Sequence, residues 1–155
     1  MADFPTYKSV VDKFEAACTA HQAIKQFGEG SIDRLDALFQ NVSYPYAFLR
    51  PLQSTGMVLN QNGVSGERRL NFEFIVMDVP KVDDTDVLKL QSQTEIYIYN
   101  IISYFNLGAD QRDEYLLLNS ITPLYESFND RVAGWVANVT YVSYGVLDYC
   151  NFPDL

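Results

Sequence analysis

The stretch RVAGWVANVTYVSYGVLDYC, residues 131–150, is the longest strand-like run of the chain and holds its only tryptophan. Its odd positions alternate in the manner of a strand with one buried face: Ala133, Trp135, Ala137, Val139 and Tyr141. The even positions are mixed, which predicts partial cover on the second face as well. Gly134 indicates a bulge or the close approach of a neighbouring backbone. We expect this strand to be the spine on which shorter strands pair.

Length and composition indicate one folded domain. The chain has 155 residues, of which 48% are hydrophobic and 14% aromatic, enough to build a sizeable core. No internal repeat and no linker divides it. We therefore expect a single domain over residues 1–155.

The charge balance excludes several classes of partner. Twenty acidic residues against 11 basic ones give a formal net charge of -9. Such a chain is unsuited to binding nucleic-acid phosphates or anionic membranes, which both require a basic surface. The first residues lack the apolar core of a signal peptide, and no apolar run approaches the roughly 18 residues of a membrane helix. Two distant cysteines, Cys18 and Cys150, favour free thiols in a reducing cytoplasm over a disulfide.

The first third of the chain predicts a helix followed by a strand. Thr6 is a suitable N-cap, and apolar residues then recur at helical spacing as far as Phe27. Gly28 and Gly30 would end this helix. Residues 31–39 suggest a short helix or a turn. Residues 43–51 read as a strand, and the prolines at both ends favour a sheet edge or the first residue of a strand.

The remaining elements complete an α+β pattern. A short strand over residues 56–60, a turn at Asn62-Gly63 and a strand over residues 67–77 form a hairpin. A long helix is expected from Asp84 or Thr85 to about Phe105. Strand pieces follow over residues 114–118 and 121–128, bent at Pro123. This order predicts an antiparallel sheet with helices packed on one face.

No cluster of residues has the spacing of a known reactive site. His21 is the single histidine, and with Cys18 it provides two ligands where a structural zinc site needs four. Asp78, Asp83, Asp84 and Asp86 lack the alternation and the glycine of a calcium loop, and they suit the start of a helix instead. We predict no catalytic, cofactor-binding or metal-binding residues and no cofactor.

The tyrosine content points to interaction surfaces. Eleven tyrosines are difficult to bury in one small core with every hydroxyl satisfied, and tyrosine is enriched at protein interfaces. The alternative is that several lie on the solvent side of strands. The polar stretch 53–68 is expected to protrude as a hairpin arm. Residues 150–155 are expected to form an irregular C-terminal tail.

Several segments together resemble phage tail terminator and tail-completion (neck ring) proteins. These are HQAIKQFG at 21–28, GSID at 30–33, YPYAFL at 44–49, RLNFEFIVMD at 69–78, DRVAGW at 130–135 and LDYC at 147–150. The last two segments are similar to a strand motif in that family that ends in a tyrosine-cysteine pair. The resemblance covers most of the chain, and its motifs are structural.

The resemblance implies a structural virion protein that is not an enzyme. Such a protein would form a homo-oligomeric ring at the neck, at the head-proximal end of the tail, and join the portal or connector to the tail. Six subunits are expected in long-tailed phages, and twelve in short-tailed assemblies such as the neck rings of crAss-like phages. Other neck, portal and tail proteins would be its partners, and DNA would pass through without specific binding. It would be assembled in the host bacterial cytoplasm and would use no membrane.

Two other classes stay open. A non-viral oligomeric adaptor would carry the same tyrosines. A small-molecule binder or an enzyme would need a pocket with convergent polar groups, for example Cys18 and His21 in one deep cleft. Candidate contacts with other subunits or partners lie on the hairpin, the acidic loop and the tail: Thr55, Asn62, Arg68, Arg69, Asp83, Asp84, Asp86, Tyr149 and Phe152. Arg68 and Arg69 are expected to pair with carboxylates of a neighbouring subunit.

Overall fold

The part of the chain that the structure describes forms two helices and one six-stranded sheet. The computed structural model describes residues 4–31, 42–54, 56–80, 84–107, 113–125 and 132–147, apart from the side chains of residues 84–86 and 125. The elements follow in the order α1 (Tyr7–Ala20), β1 (Gln26–Glu29), β2 (Tyr46–Pro51), β3 (Gly56–Leu59), β4 (Ser65–Asp78), α2 (Asp84–Asn106), β5 (Glu114–Tyr125) and β6 (Ala133–Val146).

The sheet is built around the long pair of β4 and β6. The strand order is β1-β2-β4-β6-β5, and all pairs are antiparallel except β1 with β2. β4 and β6 pair along their whole length, from Ser65 opposite Val146 to Asp78 opposite Ala133. On its other side β4 holds two strands end to end, β2 beside residues 72–77 and β3 beside residues 66–69. The predicted α+β class with an antiparallel sheet is confirmed.

Both helices pack on the same face of this sheet. Alternate residues of β4 point to that face, because successive side chains of a strand lie on opposite sides. Phe14 of α1 is fully buried at the centre, with its ring centroid 5.7 Å from those of Phe72 and Phe74 and 5.2 Å from that of Phe105 on α2. Trp135 on β6 donates its indole N–H to the carbonyl of Gln91 at 2.7 Å. The helices are therefore fixed to the sheet by one shared aromatic core.

The second face of the sheet is partly covered. A smaller buried cluster lies at one end: Tyr46, Phe48, Ile75, Met77 and Val132. Elsewhere this face is mixed, with buried Val142 beside several polar side chains. Thr140 donates to Asn71 at 2.8 Å and accepts from Asn119 at 2.7 Å, and Arg50 pairs with Glu73 at 3.0 Å. The predicted partial cover of the even side of the long strand is thus confirmed.

The predicted spine strand is present as β6, and Gly134 has the expected close neighbour. A Cβ atom at Gly134 would lie 2.0 Å from the carbonyl oxygen of Val76. The register with β4 runs regularly through this point, so the glycine permits a close backbone approach and no bulge. The elements expected at 56–60, 67–77 and 84–105 are likewise confirmed as β3, β4 and α2.

The first helix is shorter than the sequence predicts. Thr6 caps it, accepting the N–H of Ser9 at 3.2 Å, but α1 ends at Ala20. The N–H of Lys25 instead bonds to the carbonyl of Pro45 at 2.9 Å, and the following residues form β1 against β2. The prediction that the helix continues to Phe27 is wrong, because pairing with β2 outweighs a helical spacing that the apolar residues happen to share.

Two strand predictions need correction. β2 is an internal strand between β1 and β4, and its prolines do not place it at an edge. Pro45 precedes the strand and Pro51 ends it, so neither removes a donor from its middle. β5 is one strand whose irregularity lies between Leu118 and Ser120, with no break at Pro123. Residues 32–39 and 126–128, for which a connector and a strand end were predicted, lie outside the described residues.

Candidate functional site

The predicted hairpin forms between β3 and β4 around a tight polar turn. Gly63 has φ +70°, and its N–H donates to the carbonyl of Asn60 at 2.8 Å. The side-chain oxygen of Asn62 accepts the N–H groups of Val64 at 2.9 Å and of Ser65 at 3.1 Å. Asn62, a predicted partner contact, therefore uses its side chain to hold its own turn.

β3 is an exposed apolar edge strand. All four of its residues are exposed, and three carry apolar side chains: Met57, Val58 (70% exposed) and Leu59. Within the described part of the chain β4 is its one strand partner. Its outward N–H and C=O groups thus face away from the sheet, as in edges that pair with other chains.

The hairpin is held tightly to the sheet at Gly66. A Cβ atom there would lie 2.1 Å from the carbonyl oxygen of Val58, so a larger residue would push β3 away from β4. Beside it lies a shallow groove of about 400 Å³, lined by Val58, Asn60, Gly66, Glu67 and Tyr144. The groove is open, with no deeply buried polar group among its lining residues.

Arg68 and Arg69 point to opposite faces of the sheet. Arg68 lies on the helix side, where it donates to the carbonyl of Pro5. Arg69 lies on the other side, with its Nε 2.5 Å from the Glu67 carboxylate. This contact lowers the pKa of Glu67 and raises that of Arg69. Each arginine therefore has a partner within the chain, and the predicted pairing of both with a neighbouring subunit stays a prediction.

The other predicted contact residues cannot be placed at the level of side chains. Asp84 begins α2 and Asp86 follows in its first turn, but only their backbone is described. Thr55, Asp83, Tyr149 and Phe152 lie outside the described residues, and so does Cys150. The prediction that these residues contact other subunits or partners stays a prediction.

A buried ionic cluster connects α1 to the sheet. Glu114 on β5 is 3% exposed and accepts hydrogen bonds from Lys13 of α1 and, at 2.5 Å, from the hydroxyl of Tyr141 on β6. Burial first and this hydrogen bond second raise the pKa of Tyr141 well above its usual range. The sequence does not reveal the cluster, because its members lie far apart along the chain and share no motif.

The helix surface at Cys18 has no sign of reactivity. Burial raises the pKa of the Cys18 thiol to about 12, so it stays protonated at neutral pH and is a poor nucleophile. Cys18 lines a groove of about 230 Å³ with Glu15, Thr19, Ile24 and Lys25 among others, and His21 does not line it. The His21 ring lies instead beside Asn100 and Tyr97 on α2, and burial lowers its pKa.

The described residues also contain no candidate metal site. Among residues 4–31, 42–54, 56–80, 84–107, 113–125 and 132–147, no three His, Cys, Asp or Glu residues come together in a group that could hold an ion. In the same ranges no helix is long and apolar enough to cross a membrane.

The far edge of the sheet is covered at one residue near the start of β5. Asn106, at the end of α2, donates to the carbonyl of Leu116 at 3.0 Å and accepts its N–H at 2.7 Å. One side chain thus satisfies both outward backbone groups of a β5 residue. β3 and β5 therefore differ as edges, since no such side chain covers β3 among the described contacts.

The chain matches no known protein-family model, and no curated protein sequence matches it. The functional assignment therefore depends on the surfaces described above.

Proposed function

We propose that this chain is a structural virion protein that forms a homo-oligomeric ring at the phage neck, at the head-proximal end of the tail. The ring would join the portal or connector to the tail and let DNA pass through. The observation that carries the proposal is the exposed apolar edge strand β3, in which Val58 is 70% exposed.

An apolar strand edge is a liability for an isolated protein, because it pairs readily with other chains. A neighbouring copy that covers β3 removes the liability. The covering surface cannot be β3 itself in a repeating head-to-tail contact, and such contacts generate rings when their rotation closes. The anchored turn at Asn62 and the close packing at Gly66 keep β3 in one position, as a repeated contact requires.

The charge and the internal pairing of polar groups agree with a passage for DNA. With a net charge of -9 the subunit would present DNA with a repulsive surface, which prevents retention of the nucleic acid during ejection. Arg50 and Arg69 each pair with a carboxylate of the same chain, which offsets their charge toward a phosphate, and Arg68 donates to a backbone carbonyl. These features support a structural role for the subunit.

Val58→Lys tests the proposal. A charged residue on β3 should block the contact between subunits while leaving the fold intact, because Val58 is exposed and touches little of the core. Negative-stain electron microscopy of the purified protein, with a tail or portal template where assembly needs one, should show rings for the original chain and none for the variant. Thr19→Lys on exposed α1 surface is the matched control and should form rings.

Rings that persist unchanged in Val58→Lys would contradict the role of β3. Labelling of the chain in purified phage particles separates the neck protein from the alternative, a non-viral oligomeric adaptor, which would form oligomers but never occur in particles. A stable monomer that turns over a small substrate would contradict both.

A further inference from the structure

α2 carries a second apolar row on the side opposite the core. Its buried face includes Ile98, Ile101 and Phe105. On the opposite face, apolar or small residues recur every three or four positions: Leu88, Ser92, Ile96, Tyr99, Ser103 and Leu107. Leu107 lies just after the helix end. Leu88 is 70% exposed, Ile96 54% and Leu107 76%. Exposed apolar residues in one row indicate a contact surface, whereas scattered ones need no explanation.

The residue types in this row are arranged symmetrically about the centre of the helix. Leu88 corresponds to Leu107, Ser92 to Ser103 and Ile96 to Tyr99, so the apolar and small residues are placed symmetrically about the helix centre. Two copies of α2 packed antiparallel about a two-fold axis would therefore put each residue opposite its counterpart. A two-fold axis at the helix centre would place leucine against leucine, serine against serine and Ile96 against Tyr99.

Two hydroxyl groups of the row already donate hydrogen bonds to acceptors on the same helix. The Ser92 hydroxyl donates to the carbonyl of Leu88 at 3.0 Å, and the Tyr99 hydroxyl donates to Glu95 at 2.8 Å. A hydroxyl that already has an internal acceptor can be covered without losing a hydrogen bond to water. The serines also let two helices approach closely, because their side chains are small.

We propose that this row, Leu88 to Leu107 on α2, binds a second copy of the same chain through a two-fold antiparallel helix pair. The contact is limited in size. The row is about 28 Å long at 1.5 Å per residue and about 10 Å wide, or roughly 300 Å² per subunit. A standard interface covers about 800 Å² per partner. The pair is therefore weak in free solution and becomes populated at high concentration.

This interface is separate from the one proposed for the ring. The row lies on the helix layer and β3 lies in the sheet, so a subunit can use both at once. The helix pair does not depend on the ring, and it is expected in the Val58→Lys variant as well.

Sedimentation equilibrium of the full chain in the Val58→Lys background, from about 10 µM to 1 mM, tests the helix pair. The expected result is a monomer–dimer equilibrium. Ile96→Glu should raise the dissociation constant at least tenfold, because the two-fold axis places the new charge in the interface twice. Tyr104→Glu is the matched control. Tyr104 is also exposed on α2 but lies about 100° around the helix from the row, and its variant should dimerise like the parent.

Cross-linking tests the symmetry. In a Cys150→Ser background, a short thiol-specific cross-linker should join Ser92→Cys subunits to Ser103→Cys subunits and should leave either variant alone largely unlinked. A chain that is monomeric at 1 mM would overturn the proposal and mean that another partner covers the row. Equal dimerisation of the Ile96→Glu variant, or efficient linking of Ser92→Cys to itself, would overturn it too.

Discussion

The buried carboxylate of Glu114 is the polar anchor between α1 and the sheet, in addition to the aromatic core around Phe14. It is almost fully inaccessible, and its charge is balanced by Lys13 on a different layer of the fold. A buried ion pair adds little net stability compared with an apolar pair, but removing one member leaves an uncompensated charge. The energetic effect of Lys13 should therefore far exceed that of an ordinary surface lysine.

Lys13→Met is expected to lower the free energy of unfolding by about 2 kcal/mol, less than for a fully buried pair because Lys13 is partly solvated. Urea denaturation measures the change. Lys8→Met is the matched control on the same helix, since its ion pair with Asp12 is exposed, and it should change stability by less than about 0.5 kcal/mol. Equal losses of unfolding free energy in the two variants would show that the buried ion pair contributes no more to stability than the exposed one.

Tyr141 should make stability fall in alkaline solution. Its pKa in the folded chain lies above the ordinary value of 10.0, so both states keep the proton below pH 10 and the contribution of the hydroxyl is complete there. Above pH 10 the unfolded chain ionises first, and unfolding becomes easier as the pH rises. Tyr141→Phe, which removes the hydrogen bond to Glu114, should cost about 1–2 kcal/mol at pH 8.

The difference in free energy of unfolding between Tyr141→Phe and the original chain should be smaller at pH 11 than at pH 8. At pH 11 the original chain has lost part of the stability that the Tyr141 hydroxyl contributes. Urea denaturation at both pH values measures this. Stability differences that stay equal at pH 8 and pH 11 would count against a raised pKa at Tyr141.

Helices and strands with a regular apolar pattern could be predicted from the sequence. A strand whose conformation depends on pairing with a segment distant in sequence could not. The alternation in β4 and the helical stripe of α2 were readable because their core sides are continuous, as at Phe72, Phe74 and Ile98. β1 was missed because Ile24 and Phe27 are spaced as a helix would space them, while pairing with β2 decides their conformation. The candidate site was predicted only as a hairpin: its turn was expected, but its exposed apolar edge was not.

The close approach of β4 and β6 at Gly134 gives a prediction for this strand pair. Gly134→Ala should destabilise the fold by about 2 kcal/mol, because the added methyl group would lie 2.0 Å from a backbone oxygen that cannot move without breaking the ladder. Thermal unfolding measures it. Gly63→Asn, at a turn with nothing within 4 Å of a new Cβ, should be nearly neutral, since Asn tolerates positive φ. Similar losses in both variants would refute the packing explanation.

For the whole molecule, the excess of acidic residues predicts negligible affinity for DNA. Fluorescence anisotropy with labelled duplex DNA should show no binding by the assembled protein at about 50 mM salt, where phosphate contacts are strongest. A basic DNA-binding domain of similar size is the control. Tight binding that weakens steeply with added salt would contradict the proposed role of the charge in DNA passage.

The amide of Asn106 has a consequence for how far such assemblies can grow. Its side chain occupies both outward backbone groups of Leu116 and so blocks strand pairing at that point of β5, whereas no side chain covers β3 among the described contacts. A subunit with exposed strand edges on both sides of its sheet could pair with further copies at each edge and grow into a fibril. Because Asn106 occupies this position on β5, a strand of another copy cannot pair there in register, which hinders continuous strand addition at both edges while subunits accumulate in the cell.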